Sequence, residues 1–352
     1  MHSKEQHELK IMQTGFFDLE DRHKKLEERD PLVRLNELID WESFRSTLEL
    51  ATTTEKKNNA GRKPFDCVMM FKALILQHLY NISDDELEYQ IRDRYSFCRF
   101  LGRLPENRIP DAKTIWLFRE RLTNANVVKD LFDDFEFQLQ DKGFKARKGQ
   151  IVDASFVEAP RQRNTREENA DIKTGKRPAK FDENPNVGRQ KDVDARWTKK
   201  NDETHYGYKN HISIDNENKI IREFEVTSAE VHDSNVLSDL LTENSSKDIW
   251  GDSAYRSEAT EMELKASGFR SHVHTKGTRN RPLSDARKKA NTKRSKVRAR
   301  VEHVFGSIKN EQGGLFVRSI GLARAKTKVT LINLVYNMRR FITLSRIVAP
   351  SD

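Results

Sequence analysis

The stretch Gln150-Ile151-Val152-Asp153-Ala154-Ser155-Phe156-Val157-Glu158 decides how this chain is read. It is short, apolar and β-branched, with one acid in its middle, which is the pattern of a buried strand. Upstream of it, residues 30–145 repeat their apolar positions every three or four residues. Downstream, short strands alternate with helical stretches. The change of period at Lys148 therefore separates a helical N-terminal domain, residues 1–145, from an α/β domain, residues 146–352, with a mixed sheet flanked by helices.

In the helical part, Leu35, Leu38, Ile39, Phe44 and Leu48 mark the first helices, and a polar linker follows over residues 52–63. Residues 68–80 form the most apolar helical run. Ser83 is placed to cap the next helix, with Glu86 at the capping-box position. Pro110-Asp111-Ala112-Lys113-Thr114 opens another helix, and a further one covers residues 127–142. Arg92, Arg94, Arg99, Arg103, Arg119 and Arg121 are scattered among aromatics, which suits a DNA-binding bundle as well as a solvated helix surface.

Downstream of the strand, residues 161–200 show almost no apolar periodicity, so a long polar loop or disordered insertion is expected over 161–203. Residues 204–215 and 219–227 read as a hairpin, and residues 234–241 as a helix. Asp248-Ile249-Trp250-Gly251-Asp252 is a second buried strand, again with an acid at its end. Ser257 caps a helix to residue 267, and a strand follows over 270–274. Residues 276–300 hold eleven Lys or Arg against one acid, Asp285. Val297, Val301, Val304, Phe305 and Ile308 then give an amphipathic helix, and a last helix runs through Val329 to Ile342.

The 352 residues carry a net charge of +9, which favours a polyanionic partner: nucleic acid first, anionic membrane second. No apolar run is long enough to span a bilayer, and the polar start is no secretory signal. The two cysteines, Cys67 and Cys98, exclude a disulfide framework and a Cys-based zinc site. The expected setting is reduced and cytoplasmic, with nucleoid association when bound to DNA.

Three acids stand out: Asp153 within a strand, Asp252 at the end of another, and Glu302 on the amphipathic helix. An acid in an apolar strand is costly to bury without a cation or metal beside it. Strand ends in open α/β sheets are where ligands bind, and three carboxylates suit one or two hard divalent cations. Arg298 and Lys309 share one flank of the helix with Glu302, as an ion-paired surface or as part of a site. His272 and His274 share a strand face without a third zinc ligand nearby, which favours a polar edge or a phosphate contact. Trp250 reads as core.

These motifs, in this order, resemble a DDE transposase of bacterial insertion sequences, of the insertion-sequence-5 family. The resemblance runs from Gly61-Arg62-Lys63-Pro64 to the last helix. Its strongest parts are Ile151-Val152-Asp153-Ala154-Ser155, Gly251-Asp252-Ser253-Ala254-Tyr255, and the signature Tyr, two residues, Arg, three residues, Glu, six residues, Lys. Arg298, Glu302 and Lys309 stand at the signature's spacings, while Ser295 replaces its Tyr. Lys209-Asn210-His211 and His232-Asp233 also resemble family patterns; the two histidines would assist near metals or sit as core histidines. The resemblance implies a ribonuclease-H-like core that binds Mg²⁺ or Mn²⁺, cuts DNA at terminal inverted repeats and joins the freed 3′-hydroxyl to target DNA. Asp153 would bridge two ions, with Asp252 and Glu302 each holding one. Arg298 and Lys309 would contact phosphate. Lys293, Arg294, Lys296 and Arg300, in the basic run, would follow the DNA backbone. The implied partners are double-stranded DNA and a second copy of the chain.

Overall fold

The computed structural model describes residues 24–25, 27, 29–53, 63–104, 106–200, 202–277 and 282–348. The helical half holds α1 (Pro31–Leu38), α2 (Arg45–Thr52), α3 (Cys67–Tyr80), α4 (Asp84–Asp93), α5 (Tyr95–Phe100), α6 (Ala112–Ala125) and α7 (Val128–Asp141). Short polar residues start several of them. Asp30, Asp66, Ser83 and Asp111 each accept a backbone N–H from the first turn, satisfying donors the helix itself leaves open. Helix α3 is buried along nearly its whole length, from Cys67 to His78 apart from Lys72. Most of the linker expected over 52–63 lies outside the described residues.

The second half begins with β1 (Gln150–Glu158), followed by α8 (Arg166–Lys173), α9 (Ala179–Glu183), α10 (Pro185–Gly188), β2 (Arg196–Lys200), β3 (Glu203–Asp215), β4 (Ile221–Ser228) and β5 (Asp248–Trp250). Then come α11 (Glu258–Ala266), β6 (Arg270–Ser271), α12 (Asp285–Glu311) and α13 (Leu322–Val348). The sheet runs β3–β1–β5–β6, and both β2 and β4 pair with β3. Strand β3 is antiparallel to β1, β2 and β4, whereas β1, β5 and β6 are mutually parallel. This is the ribonuclease-H-like mixed sheet, with helices on its faces and an all-helical part before it.

Two local expectations change. Residues 161–203, read as a loop or disordered insertion, carry three short helices and β2. Thr165 and Glu168 close a capping box on α8, and Ile172 and Phe181 are buried. Caps and isolated apolar anchors order this segment, and neither produces a period. Residues 234–241, read as a helix, form two short 3₁₀ turns, Asp233–Val236 and Ser238–Leu240.

Helix α13 joins the two halves. Its residues 329–338 are all buried, among them Val329, Leu331, Ile332, Leu334, Val335 and Met338, and it belongs to one apolar core that also takes in Leu32, Phe71, Phe132, Ile212 and Phe224. Two of its amides fix it to the sheet. Asn333 and Asn210 exchange hydrogen bonds at 2.9 and 3.2 Å, and Asn337 accepts from Ile221 N and donates to Ile221 O, at 2.9 and 2.7 Å. All of this is buried, where an unmade hydrogen bond is expensive. Asn333→Leu is therefore expected to cost about 1–3 kcal/mol by stranding the Asn210 amide. The double variant Asn210→Leu/Asn333→Leu should cost less than the two singles summed. Urea unfolding of the four proteins reads this directly, and strict additivity would show that the pair is not coupled.

Candidate active site

The sheet register brings the first two acids together. Ile151 pairs with Trp250 on the parallel neighbour, and two residues further along each strand stand Asp153 and Asp252. Gly251 permits the close approach, since a Cβ there would meet Val152 Cγ2 at 3.0 Å. Side chains alternate along a strand, so Asp153 lies on the same face as Ile151 and Val157, which belong to the core shared with Val301 and Val304 of α12. Asp252 ends the extended segment by capping the turn Ser253–Tyr255, its carboxylate accepting from Ser253 N at 2.6 Å.

Helix α12 supplies the rest. Val301, Val304, Phe305 and Ile308 are buried, and this stripe turns Arg298 and Glu302 toward the acids. Arg298 Nη1 donates to Asp153 Oδ2 at 3.1 Å, and Nη2 reaches Glu302 Oε1 at 3.5 Å. The Asp153 side chain is 15% exposed and that of Glu302 64%. Arg298 thus stands between a buried and an exposed carboxylate, and its Nε is buried without a partner.

Burial pushes the Asp153 carboxyl up to about 6; Arg298 and the Ala154 N–H oppose this, while the charge of Asp252 adds to it. The phenol of Tyr255 is buried without a hydrogen-bond partner. Burial first, then the charges of Asp233, Asp153 and Asp252, raise it well above the usual tyrosine value. Burial, together with the Arg298 charge, lowers His274, with Asp252 opposing. Among the described residues, no three His, Cys, Asp or Glu side chains gather closely enough to hold one metal ion. The donors are carboxylate oxygens, the ligand type of hard divalent cations. Their chemistry fits such an ion, and here a guanidinium stands between two of them.

The other sequence-derived residues divide. Lys309 lies exposed in the last turn of α12, about 10 Å along the axis from Glu302 at 1.5 Å per residue, and among the described residues it makes no ion pair. The expected nearness to Glu302 is one of flank and not of contact. Lys293 and Lys296 are exposed. Arg294 donates to Val273 O at 3.0 Å, and Arg300 to Asn216 Oδ1 at 2.7 Å, so both brace α12 against neighbouring loops. Ser295, in place of the signature Tyr, faces His274 Nε2 at 3.4 Å. His272 bonds Asp248 at 2.8 Å and stacks on Trp250. His211 is buried against Thr227, and His232 bonds Ser234 in its own turn.

Two features escaped sequence reasoning. The Lys209 ammonium pairs with Asp233 at 2.8 Å and with Val231 O at 2.7 Å, joining the two family-like patterns noted above. Tyr255 carried a signal too, because it follows Asp252 by three residues, about the spacing of one turn.

A ribonuclease-H-like sheet with one acid within a strand, a second just past the end of its parallel neighbour and a third on a covering helix defines the class. Residues 145–338 match the family described as Transposase DDE domain, more than half of the chain, and residues 20–121 match the one described as Transposase domain (DUF772). The chain belongs to the Transposase DDE domain family and is a DNA transposase. It is also similar to the cryo-EM structure of the piggyBac transposase synaptic complex with hairpin DNA. That likeness covers 94% of this chain and 79% of that one, at 10% identity and a TM-score of 0.47. No helix among the described residues is long and apolar enough to cross a membrane.

The raised Asp153 carboxyl has a thermodynamic signature. A folded-state pKa above the unfolded value gives stability that is fully present below about pH 4 and lost as pH rises through about 6. In EDTA, the wild type should lose about 2–3 kcal/mol across that window relative to Asp153→Asn. Urea unfolding from pH 4 to 7 measures the difference, and parallel pH profiles would contradict it.

Proposed function

We propose that the protein cuts DNA at the terminal inverted repeats of an insertion sequence of the insertion-sequence-5 type and transfers the freed 3′-hydroxyl to target DNA. The observation that carries this reading is the level placement of Asp153 and Asp252 under the Arg298–Glu302 flank of α12, in a chain of the Transposase DDE domain family. Asp153, Asp252 and Glu302 are the proposed catalytic residues and the ligands of Mg²⁺ or Mn²⁺, with two ions in the active form. Such ions supply activation of the attacking oxygen and stabilisation of the leaving one in phosphoryl transfer.

The protein's own groups prepare that chemistry. Burial of Asp153 beside Asp252 concentrates negative charge in a poorly solvated place, which raises the gain from any cation that arrives. Glu302, at the surface, can rotate without disturbing the core. Arg298 balances Asp153 before DNA binds, and its planar fork suits a phosphate afterwards. Lys309, on the Arg298–Glu302 flank of α12, and Lys293 and Lys296, nearer the start of the helix, are the proposed backbone contacts, with Arg294 and Arg300 holding the helix in place. The helical part, residues 1–145, would grip DNA and bring a second copy to the synapse.

With Mg²⁺ and linear DNA bearing the element ends, the protein should nick and join strands. Binding without either product would overturn the enzymatic reading, and cleavage without joining would leave a hydrolytic nuclease. Asp153→Asn, Asp252→Asn and Glu302→Gln should each abolish cleavage while gel-shift affinity is largely retained. Lys309→Ala should weaken binding uniformly across sequences and lower the salt slope by about 1; an unchanged slope would remove Lys309 from the DNA contact.

A further inference from the structure

A groove of about 610 Å³ lies where the helical half meets the segment between α12 and α13. Helices α3, α4 and α6 form one wall; Gly313–Ile320 and the first turns of α13 form the other. Its charges do not balance. Arg119 pairs with Asp84 at 2.7 Å, and Arg324 with Glu120 at 2.7 Å, which consumes both carboxylates. Arg189, Arg318 and Lys328 line the same groove, and none of them has an ion pair among the described residues. Lys328 is half-buried; desolvation, followed by the charges of Arg119 and Arg318, holds its ammonium below the usual lysine range. Three cations converging without anions are unfavourable unless an external anion completes them.

The walls narrow the choice of anion. Trp116 is 46% exposed and Phe316 40% exposed, and both line the groove. Exposed apolar faces beside guanidinium groups offer contact to the deoxyribose rings as well as the phosphates of a DNA backbone, which a small inorganic ion would leave unused. The groove is also tied to the catalytic strand. Glu158, at the end of β1, bridges to Phe316, with Glu158 N donating to Leu315 O at 2.9 Å and Val317 N to Glu158 O at 2.8 Å. Phe316 is thus roughly 16 Å from Asp153 along β1, five residues at 3.3 Å each, within half a turn of duplex DNA.

We infer that this groove is a second DNA-backbone site, in which Arg189, Arg318 and Lys328 hold phosphates of a duplex away from the carboxylates. The inference rests on the transposase reading and names where that reading's DNA is gripped. It does not use the basic face of α12.

The test is a salt series of fluorescence anisotropy with a 30-base-pair fluorescein-labelled duplex bearing the element end, on the full chain. Wild type and the triple variant Arg189→Gln/Arg318→Gln/Lys328→Met are compared, with circular dichroism as a check on folding. Loss of three phosphate contacts should lower the slope of log affinity against log salt by about 2.7. An unchanged slope in a folded variant overturns the groove while leaving the catalytic reading intact. Failure of the wild type to bind the duplex at all would overturn that reading itself. Lysine acetylation of the wild type, read by mass spectrometry, decides independently of the variant's stability. Lys328 should be protected at least several-fold by duplex, and equal labelling with and without DNA would sink the proposal.

Discussion

The constraint on which the rest depends is the burial of the middle of α13, residues 329–338, between a helical bundle and a sheet. A helix buried on one side can rest on a surface, but one buried all round must be enclosed. Enclosure needs two partners, and the chain supplies them from two separate parts of its sequence. Apolar packing alone would let such a helix slide or rotate at small cost. The reciprocal Asn210–Asn333 amides and the Asn337 bonds to Ile221 prevent this, because any slip would bury four or more unmade hydrogen bonds.

That rigidity bears on the site. Of the strands that α13 pins, β3 is the antiparallel partner of β1, which carries Asp153, and β4 lies on the far side of β3. Asn210 stands opposite Ser155, so α13 packs on the same face of the sheet as Asp153, beside α12, which is anchored by Arg294 and Arg300. Between them, Asp153 is kept in a poorly solvated position that it would not choose alone. Its raised carboxyl and the nearby charge of Asp252 mark a position where a neighbouring positive charge is stabilising. Arg298 provides that charge in the protein by itself.

Much of this was legible in the residues. The change from helical to strand period at Lys148 separated the two parts, and β-branched runs located β1 and β5. Asp153 and Asp252 were visible because one interrupts an apolar strand and the other follows the end of one. The helix with Arg298 and Glu302 followed from its valine stripe. Other features left no period to read. Residues 161–203 are ordered by single anchors and side-chain caps, such as Phe181 and the Thr165–Glu168 pair, which a window average dilutes. The 3₁₀ turns after β4 have helical composition but too few residues to build an α-helix. The engagement of Arg294 and Arg300 depends on loops far away in sequence, and so does the isolation of Lys309. The groove charges come from two segments far apart in the chain, and no linear motif joins Arg189 to Arg318 and Lys328.

Helix α13 shares its burial with both parts of the molecule. Were it removed, the helical part and the sheet would each expose the apolar surface that it covers, and the Asn210 amide and the Ile221 backbone would turn to water for partners. Direct contacts such as Phe132 on Phe224 and Glu136 on Arg222 would remain between the two parts. A variant lacking α13 would therefore keep Asp153, Asp252 and Glu302 but lose much of the packing behind the strands that order them.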